Sequence, residues 1–150
     1  MVTVSDTRTL ETDIGGRTAA ELLVAAGHRL VDRQIVPDDP DRIAPLLAKY
    51  SGRDDVAAVL VTGGTGLGLR DQTIETVARL LTKVLPGYGE LFRMLSFQEI
   101  GPAAMLSRAI GGLMGTTVVL TMPGSPAGVR LAMEKLILPE LGHLVREARK

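Results

Sequence analysis

The chain contains no cysteine, which excludes disulfides, thiolate metal sites and cysteine nucleophiles. It has no tryptophan and only four other aromatics, Tyr50, Tyr88, Phe92 and Phe97, too few for a base-stacking platform. It also lacks a charge excess. Its 17 basic and 17 acidic residues give a formal net charge of zero, whereas nucleic-acid binders carry a basic surplus. Its two histidines, His28 and His143, are far apart and fit neither zinc-ligand spacing nor a Ser-His-Asp set. No apolar run approaches the ~18 residues of a membrane span. The start has no charged stretch followed by an apolar one, so a cytoplasmic protein with no nucleic-acid or membrane partner is expected.

What is present is a patterned globular sequence. Its 150 residues and 45% hydrophobic content predict one domain, 1–150, with a packed interior. Met1 to Val4 reads as a short strand. Ala19, Leu22, Leu23 and Ala26 form a helical stripe that Gly27 stops. Leu30 to Val36 reads as a second strand, and Asp39-Pro40 as the N-cap and first turn of a helix striped by Ile43, Leu46, Leu47 and Tyr50. Pro45 predicts a kink in that helix or an early end to it. Val56 to Val61 is a continuous apolar run, the pattern of a buried parallel strand.

Ile74, Val77, Ala78 and Leu81 mark the next helix. Pro86-Gly87 breaks the pattern, and Glu90 to Arg108 reads as mostly helical with an interruption at Gly101-Pro102. Ala109 to Met114 and Thr116 to Thr121 flank Gly115 as a hairpin. A C-terminal helix begins around Val129 and is interrupted by Pro139. The alternation predicts an α/β fold of three layers, a doubly wound, mostly parallel sheet with a small antiparallel hairpin.

The densest chemical signal is Thr62-Gly63-Gly64-Thr65-Gly66, just past the third strand, followed by Arg70 and Asp71. Ligands of open α/β sheets bind beyond the C-terminal strand ends, and glycines let a ligand approach bare amides. With the helix beginning near Thr73, these amides favour an anion, most naturally phosphate. No Gly-Lys-Ser/Thr follows, so this is not a P-loop, and the glycine spacing does not match a dinucleotide fingerprint, which argues against a nicotinamide or flavin enzyme. A tight strand-to-helix turn explains the glycines equally. Asp71 has two readings as well: an N-cap or first-turn acid on the coming helix, or a carboxylate holding a Mg²⁺ ion between itself and a phosphate.

Three more loops carry little apolar weight: Val36-Pro37-Asp38-Asp39, Pro86-Gly87-Tyr88-Gly89-Glu90 and Met122-Pro123-Gly124-Ser125-Pro126. Each has the Pro/Gly content of a turn. In a parallel sheet, several of them would share one edge. With Asp39 as the N-cap, Asp38 is the freer acid to face a ligand, and Ser107-Arg108 reads either as a further anion contact or as an exposed helix end.

Taken in order, Ser5-Asp6, Thr62 to Gly66 with Arg70 to Thr73, Pro86 to Glu90, Ser107 to Ala109 and Pro123 to Pro126 resemble the MoaB/Mog family of molybdenum cofactor biosynthesis proteins over nearly the whole chain. That resemblance implies a molybdopterin adenylyltransferase, using Mg²⁺ and ATP to transfer an adenylyl group to molybdopterin and releasing pyrophosphate. It implies Asp71 as the essential, metal-holding aspartate and Asp38 (or its neighbour Asp39) as a second catalytic acid. It places nucleotide phosphates on Thr62, Gly63, Gly64, Thr65 and Gly66, and pterin and nucleotide contacts on Pro86, Gly87, Glu90, Ser107, Pro123, Gly124, Ser125 and Pro126. It also implies a homotrimer or hexamer that works with other cofactor-biosynthesis proteins. A non-catalytic molybdopterin carrier of the same fold is the competing reading.

Overall fold

The computed structural model describes residues 1–150. Six strands form one sheet: β1 (Val2–Val4), β2 (Gln34–Val36), β3 (Ala58–Thr62), β4 (Lys83–Val84), β5 (Gly111–Met114) and β6 (Thr117–Met122). Their order across the sheet is β2-β1-β3-β6-β5-β4. The pairs β1–β2, β1–β3 and β3–β6 are parallel, whereas β5 runs antiparallel to both β6 and β4. The six helices are α1 (Ile14–Ala25), α2 (Pro40–Ser51), α3 (Thr73–Leu80), α4 (Pro86–Ile100), α5 (Pro126–Ala132) and α6 (Leu138–Ala148).

The central strands alternate between two cores, because successive side chains of a strand point to opposite faces. Leu60, Val118, Leu120 and Met122 pack on one face with Ala19 and Leu23 of α1, Phe92 of α4, Val129 of α5 and Leu141 of α6. Val59, Val61, Val119, Val2 and Val4 pack on the other with Ile43 and Leu47 of α2 and Val77 of α3. This is the doubly wound, three-layer arrangement that the sequence predicts.

Several boundaries depart from the sequence reading. The second strand is only Gln34–Val36, because β1 offers pairing partners no farther back than Val2. α2 runs unbroken through Pro45; the exposed ring forfeits a single main-chain bond and points away from the core. Pro86 does not break a helix but opens α4 at its first turn, where a missing amide costs nothing. That helix ends at Ile100, and Gly101–Leu106 is a 3-10 turn. Gly101 sits at φ +64, which favours glycine. Pro139 does not end the C-terminal helix. A π-helical turn over Met133–Ile137 precedes it and joins α5 to α6, so the wider turn takes up the strain the ring would impose. The hairpin strands begin at Gly111 and Thr117, slightly later than expected, and β4, two residues long, has no legible sequence signal.

Candidate functional site

The loops leaving β1, β2, β3 and β6 all lie at the C-terminal edge of the parallel strands. The antiparallel turn of β5 and the parallel return of β4 bring two more segments to that edge. Gly111 lies opposite Leu120, near the end of β6, and Leu85 donates its amide to the Gly111 carbonyl at 2.7 Å. Residues Ser107 to Ile110 and the start of α4 therefore join the other loops. β1 leads to α1 on one face and β3 leads to α3 on the other, so these neighbours flank the switch point where open sheets form a crevice. A cavity of about 150 Å³ sits there, lined by Ser5, Arg8 and Gly15 on one side and Thr62, Gly63 and Gly124 on the other.

The glycine loop is shaped by what it must pass. Gly63 and Gly64 have φ values of +96 and +63, conformations other residues avoid. A side chain on Gly63 would strike the Val4 carbonyl, and one on Gly64 would strike the Thr73 hydroxyl and the Asp38 carboxylate. Gly63 donates to the Met122 carbonyl at 3.1 Å, and the Thr62 hydroxyl donates to the Pro123 carbonyl at 2.8 Å. These bonds lock the ends of β3 and β6 together. The amides of Gly64, Thr65 and Gly66 donate to no protein acceptor. Buried or half-buried main-chain donors almost always have a partner, and Thr65 is buried and Gly64 half-buried.

The carboxylates lie on the flanks of this loop. Asp71 accepts the Gly68 amide at 2.8 Å and packs against Gly66 and Gly68, where an added side chain would collide with it. It is not the N-cap of α3, because Gln72 holds that position without a side-chain bond. Asp38 accepts the Gln72 amide at 3.1 Å and the Thr73 hydroxyl at 3.2 Å. Asp39 caps α2 through the Asp41 amide at 2.9 Å. Of the two adjacent acids, Asp38 is therefore the one at the glycine loop. Burial pushes the Asp38 pKa up from its usual value, its hydrogen bonds oppose that, and the neighbouring Asp71 and Asp6 charges add to the rise.

Three residues that sequence reasoning passed over or left undecided organise this ensemble. Arg108 donates to the main-chain oxygens of Thr65 at 3.4 Å and Asp71 at 3.1 Å while pairing with Glu75. It clamps the glycine loop onto α3. Asp6 accepts the Asp38 amide at 3.2 Å and pairs with Arg70 at 2.8 Å. Asp13, buried, caps α1 through the Gly16 amide at 2.9 Å, accepts the Thr3 hydroxyl at 2.6 Å and pairs with Arg33 at 2.9 Å. Burial alone would raise the Asp13 pKa, but the Thr3, Gly16 and Arg33 interactions outweigh it and hold the carboxyl below its usual value. An acid three residues ahead of Gly16, just before a helix, was its available signal.

The remaining predicted residues gather at the same edge with varied local roles. Ser125 caps α5 through the Gly128 amide at 3.2 Å, and Pro126 occupies the first turn of that helix. Gly124 packs against Gly63 and Gly15. Tyr88 anchors the start of α4 by donating to the Thr121 carbonyl at 2.9 Å, leaving Pro86 and Glu90 exposed beside it and Gly87 half-buried. The Ser107 carbonyl accepts Arg93 at 3.5 Å.

A doubly wound sheet with spare amides at its switch-point crevice has the architecture in which open α/β proteins place their ligands. Comparison with known proteins narrows this class. Residues 1–143 match the model of the probable molybdopterin binding domain. A molybdenum cofactor biosynthesis protein B from Bacillus cereus is 54% identical over 148 residues, covering 98% of this chain and 88% of its own length. The molybdopterin biosynthesis enzyme MoaB of Thermus thermophilus is 34% identical, with a TM-score of 0.86 over 98% of this chain and 92% of its own. The tungsten cofactor synthesizing protein MoaB of Pyrococcus furiosus is 36% identical, with a TM-score of 0.85 over 99% and 94%. The chain belongs to this molybdopterin-binding family and is a molybdenum cofactor biosynthesis protein of the MoaB type. No helix is long and apolar enough to cross a membrane.

Proposed function

We propose that this protein adenylylates molybdopterin, using ATP with Mg²⁺ and releasing pyrophosphate. The observation that carries this reading is the set of spare amides at Gly64, Thr65 and Gly66, flanked by Asp38 and Asp71. Successive main-chain amides without a protein acceptor suit phosphate oxygens. The acids suit Mg²⁺, which takes one or two carboxylates and completes its shell with water and substrate phosphates. No group of three or more acidic or imidazole side chains converges here, so the protein ligands in this reading are these two acids alone. When bound, Mg²⁺ would neutralise polyphosphate charge.

The chain's own residues position the reactants. Asp71, fixed by the Gly68 amide, and Asp38, fixed by Gln72 and Thr73, are preorganised carboxylates. Arg108 holds the loop that carries both the amides and Asp71. An oxygen of the pterin phosphate forms a bond to the α-phosphorus of ATP while the bond from that phosphorus to the bridging oxygen breaks. The electron pair and negative charge leave with pyrophosphate. Such transfers depend on positioning and charge neutralisation more than on a protein nucleophile, so the lack of cysteine is no obstacle. The crevice lined by Thr62, Gly63 and Gly124, with the Ser107 and Pro86 to Glu90 segments on the same edge, is where the pterin and the rest of the nucleotide would lie.

Self-association into trimers or hexamers belongs to this reading. It is supported by an exposed apolar row of Leu91, Met94, Phe97 and Ile100 on α4, continued by Met105 and Leu106; such patches mark interaction surfaces. Other cofactor-biosynthesis proteins are the expected functional partners. The test is incubation with molybdopterin, ATP and Mg²⁺. Pyrophosphate release matched by adenylylated pterin supports the enzyme. Tight pterin binding without pyrophosphate supports the carrier reading instead.

A further inference from the structure

Arg108, in the segment ahead of β5, gives three of its nitrogens to acceptors that lie close together but far from it in sequence. Nε donates to the Thr65 carbonyl at 3.4 Å, Nη2 to the Asp71 carbonyl at 3.1 Å and Nη1 to the Glu75 carboxylate. Two of these acceptors are main-chain oxygens, and each controls what lies at the other end of its peptide unit. A trans peptide is planar, with its C=O and N–H directed oppositely. The Thr65 carbonyl shares its unit with the Gly66 amide, one of the three spare donors. The Asp71 carbonyl shares its unit with the Gln72 amide, which donates to Asp38 at 3.1 Å. One guanidinium therefore fixes the direction of a spare donor and of the donor that holds a neighbouring acid. It acts from behind the loop, since both N–H groups point away from it.

Glu75 sets that guanidinium in place. It occupies the third position of α3, with Gln72 as the N-cap. An acid there ordinarily turns back to the N-cap amide. Here Asp38 has taken that amide, so the Glu75 carboxylate is free to leave the helix end and meet Arg108, 33 positions along the chain. Its own main-chain amide holds its pKa below the usual value, and Arg108 adds to this against the effect of burial, so the pair is ionised at neutral pH. Arg108 is largely buried and Glu75 half-buried, which leaves the pair less screened than an exposed one. The second Glu75 oxygen is buried without a partner, a costly arrangement that gives α3 no cap.

We infer that Glu75 is a positioning residue: acting through Arg108, it directs the Gly66 amide away from the body of the protein and holds the Gln72 amide on Asp38, so that donor and acid are set before a ligand arrives. The role rests on the reading of the glycine loop as a phosphate site, and it names what orients that site from behind. Donors fixed in advance need no reorganisation when charge arrives. Arginine suits position 108 because its planar fork serves several acceptors at once, whereas a lysine ammonium is a point charge on a flexible stem. Neither Glu75 nor Arg108 has to touch the nucleotide.

The test compares the full chain with its Glu75→Gln, Glu75→Asp and Arg108→Lys variants by two readouts. The first needs no substrate: hydrogen exchange of the Gln72 amide, and the nitrogen resonances of Gly66 and Gln72, which sense the hydrogen bond at the preceding carbonyl. Glu75→Gln and Arg108→Lys should speed exchange at Gln72 roughly 10-fold, move both resonances and leave exchange at Val59 to Val61 of β3 unchanged. Glu75→Asp keeps the charge and should recover most of the protection. The second readout is the KM for ATP and the kcat of pyrophosphate release. Glu75→Gln should raise KM roughly 5–10-fold and lower kcat by less than that. Unchanged exchange and resonances in both variants would overturn the inference. So would equal acceleration across β3, the mark of a general loss of stability, or altered exchange with KM unmoved. If the parent itself releases no pyrophosphate, the adenylylation reading fails, and the first readout alone decides the positioning role.

Discussion

The two edges of this one sheet both leave main-chain groups without partners, and they differ in what surrounds those groups. At the C-terminal edge the spare amides of Gly64, Thr65 and Gly66 lie among carboxylates and bare backbone. At the opposite edge the spare groups of Leu30 and Val31 lie in a cavity lined by apolar side chains together with Arg29, Asp32 and Asp55. A set of donors alone, with carboxylates nearby, suits a phosphate group. The neighbours of an unpaired amide decide which chemistry it suits.

This contrast can be broken by substitution, and the largest expected effect is on activity. Asp71→Ala should lower the rate of pyrophosphate release about 10²–10³-fold, in the range seen when one electrostatic contributor to a transition state is removed. Thermal unfolding should stay within a few degrees of the parent, since the side chain holds only the Gly68 amide. Asp13→Ala reverses the pattern. It leaves the largely buried Arg33 without its carboxylate and removes the cap of α1, so it should cost about 3 kcal/mol of unfolding free energy in urea titrations. The native Asp13 carboxyl is held low, so its contribution is present above the usual carboxylate pKa and is lost as pH falls through the folded value. The deficit of the variant should therefore shrink in strongly acidic solution.

Gly64→Ala comes next. It forces a side chain into a left-handed conformation and against Asp38 and Thr73, and should cost about 1–3 kcal/mol, with nucleotide affinity falling in equilibrium dialysis. Asp38→Asn should have the smallest effect on stability, and its sign is the informative part. The Asp38 pKa is raised, so its ionised form destabilises the fold as pH rises through that value. The amide keeps an oxygen for Gln72 and Thr73. Tm of the variant at pH 7 should equal or exceed that of the parent, and the advantage should vanish near pH 4, while pyrophosphate release falls. A gain in stability with a loss of activity is the signature of an acid retained for function.

The sequence made the doubly wound fold legible because its signals are strong and local. Val56 to Val61 could be little else than a buried strand, and Asp39-Pro40 opens α2 as its residue types require. The position of the glycine loop followed from the end of that strand. What stayed hidden was settled by contacts distant in sequence. The short β2 depends on how far β1 extends, the two-residue β4 exists only because β5 is there to pair with it, and Pro86 and Pro139 are breakers in one setting and first-turn residues in another. The choice between Asp38 and Asp39 likewise needed the fold, since only the approach of Gln72 and Thr73 separates them. Arg108 spans 37 positions to reach Asp71, a clamp that no spacing rule reveals.

The most direct test of the central claim is the stoichiometry of ATP binding and pyrophosphate release in the parent and in Asp71→Ala, measured with Mg²⁺ and saturating molybdopterin. The spare-amide cradle predicts that both proteins bind one nucleotide per chain, and that only the parent releases pyrophosphate at a rate matching pterin adenylylation. Full release by the variant, or no nucleotide bound by the parent, would contradict it.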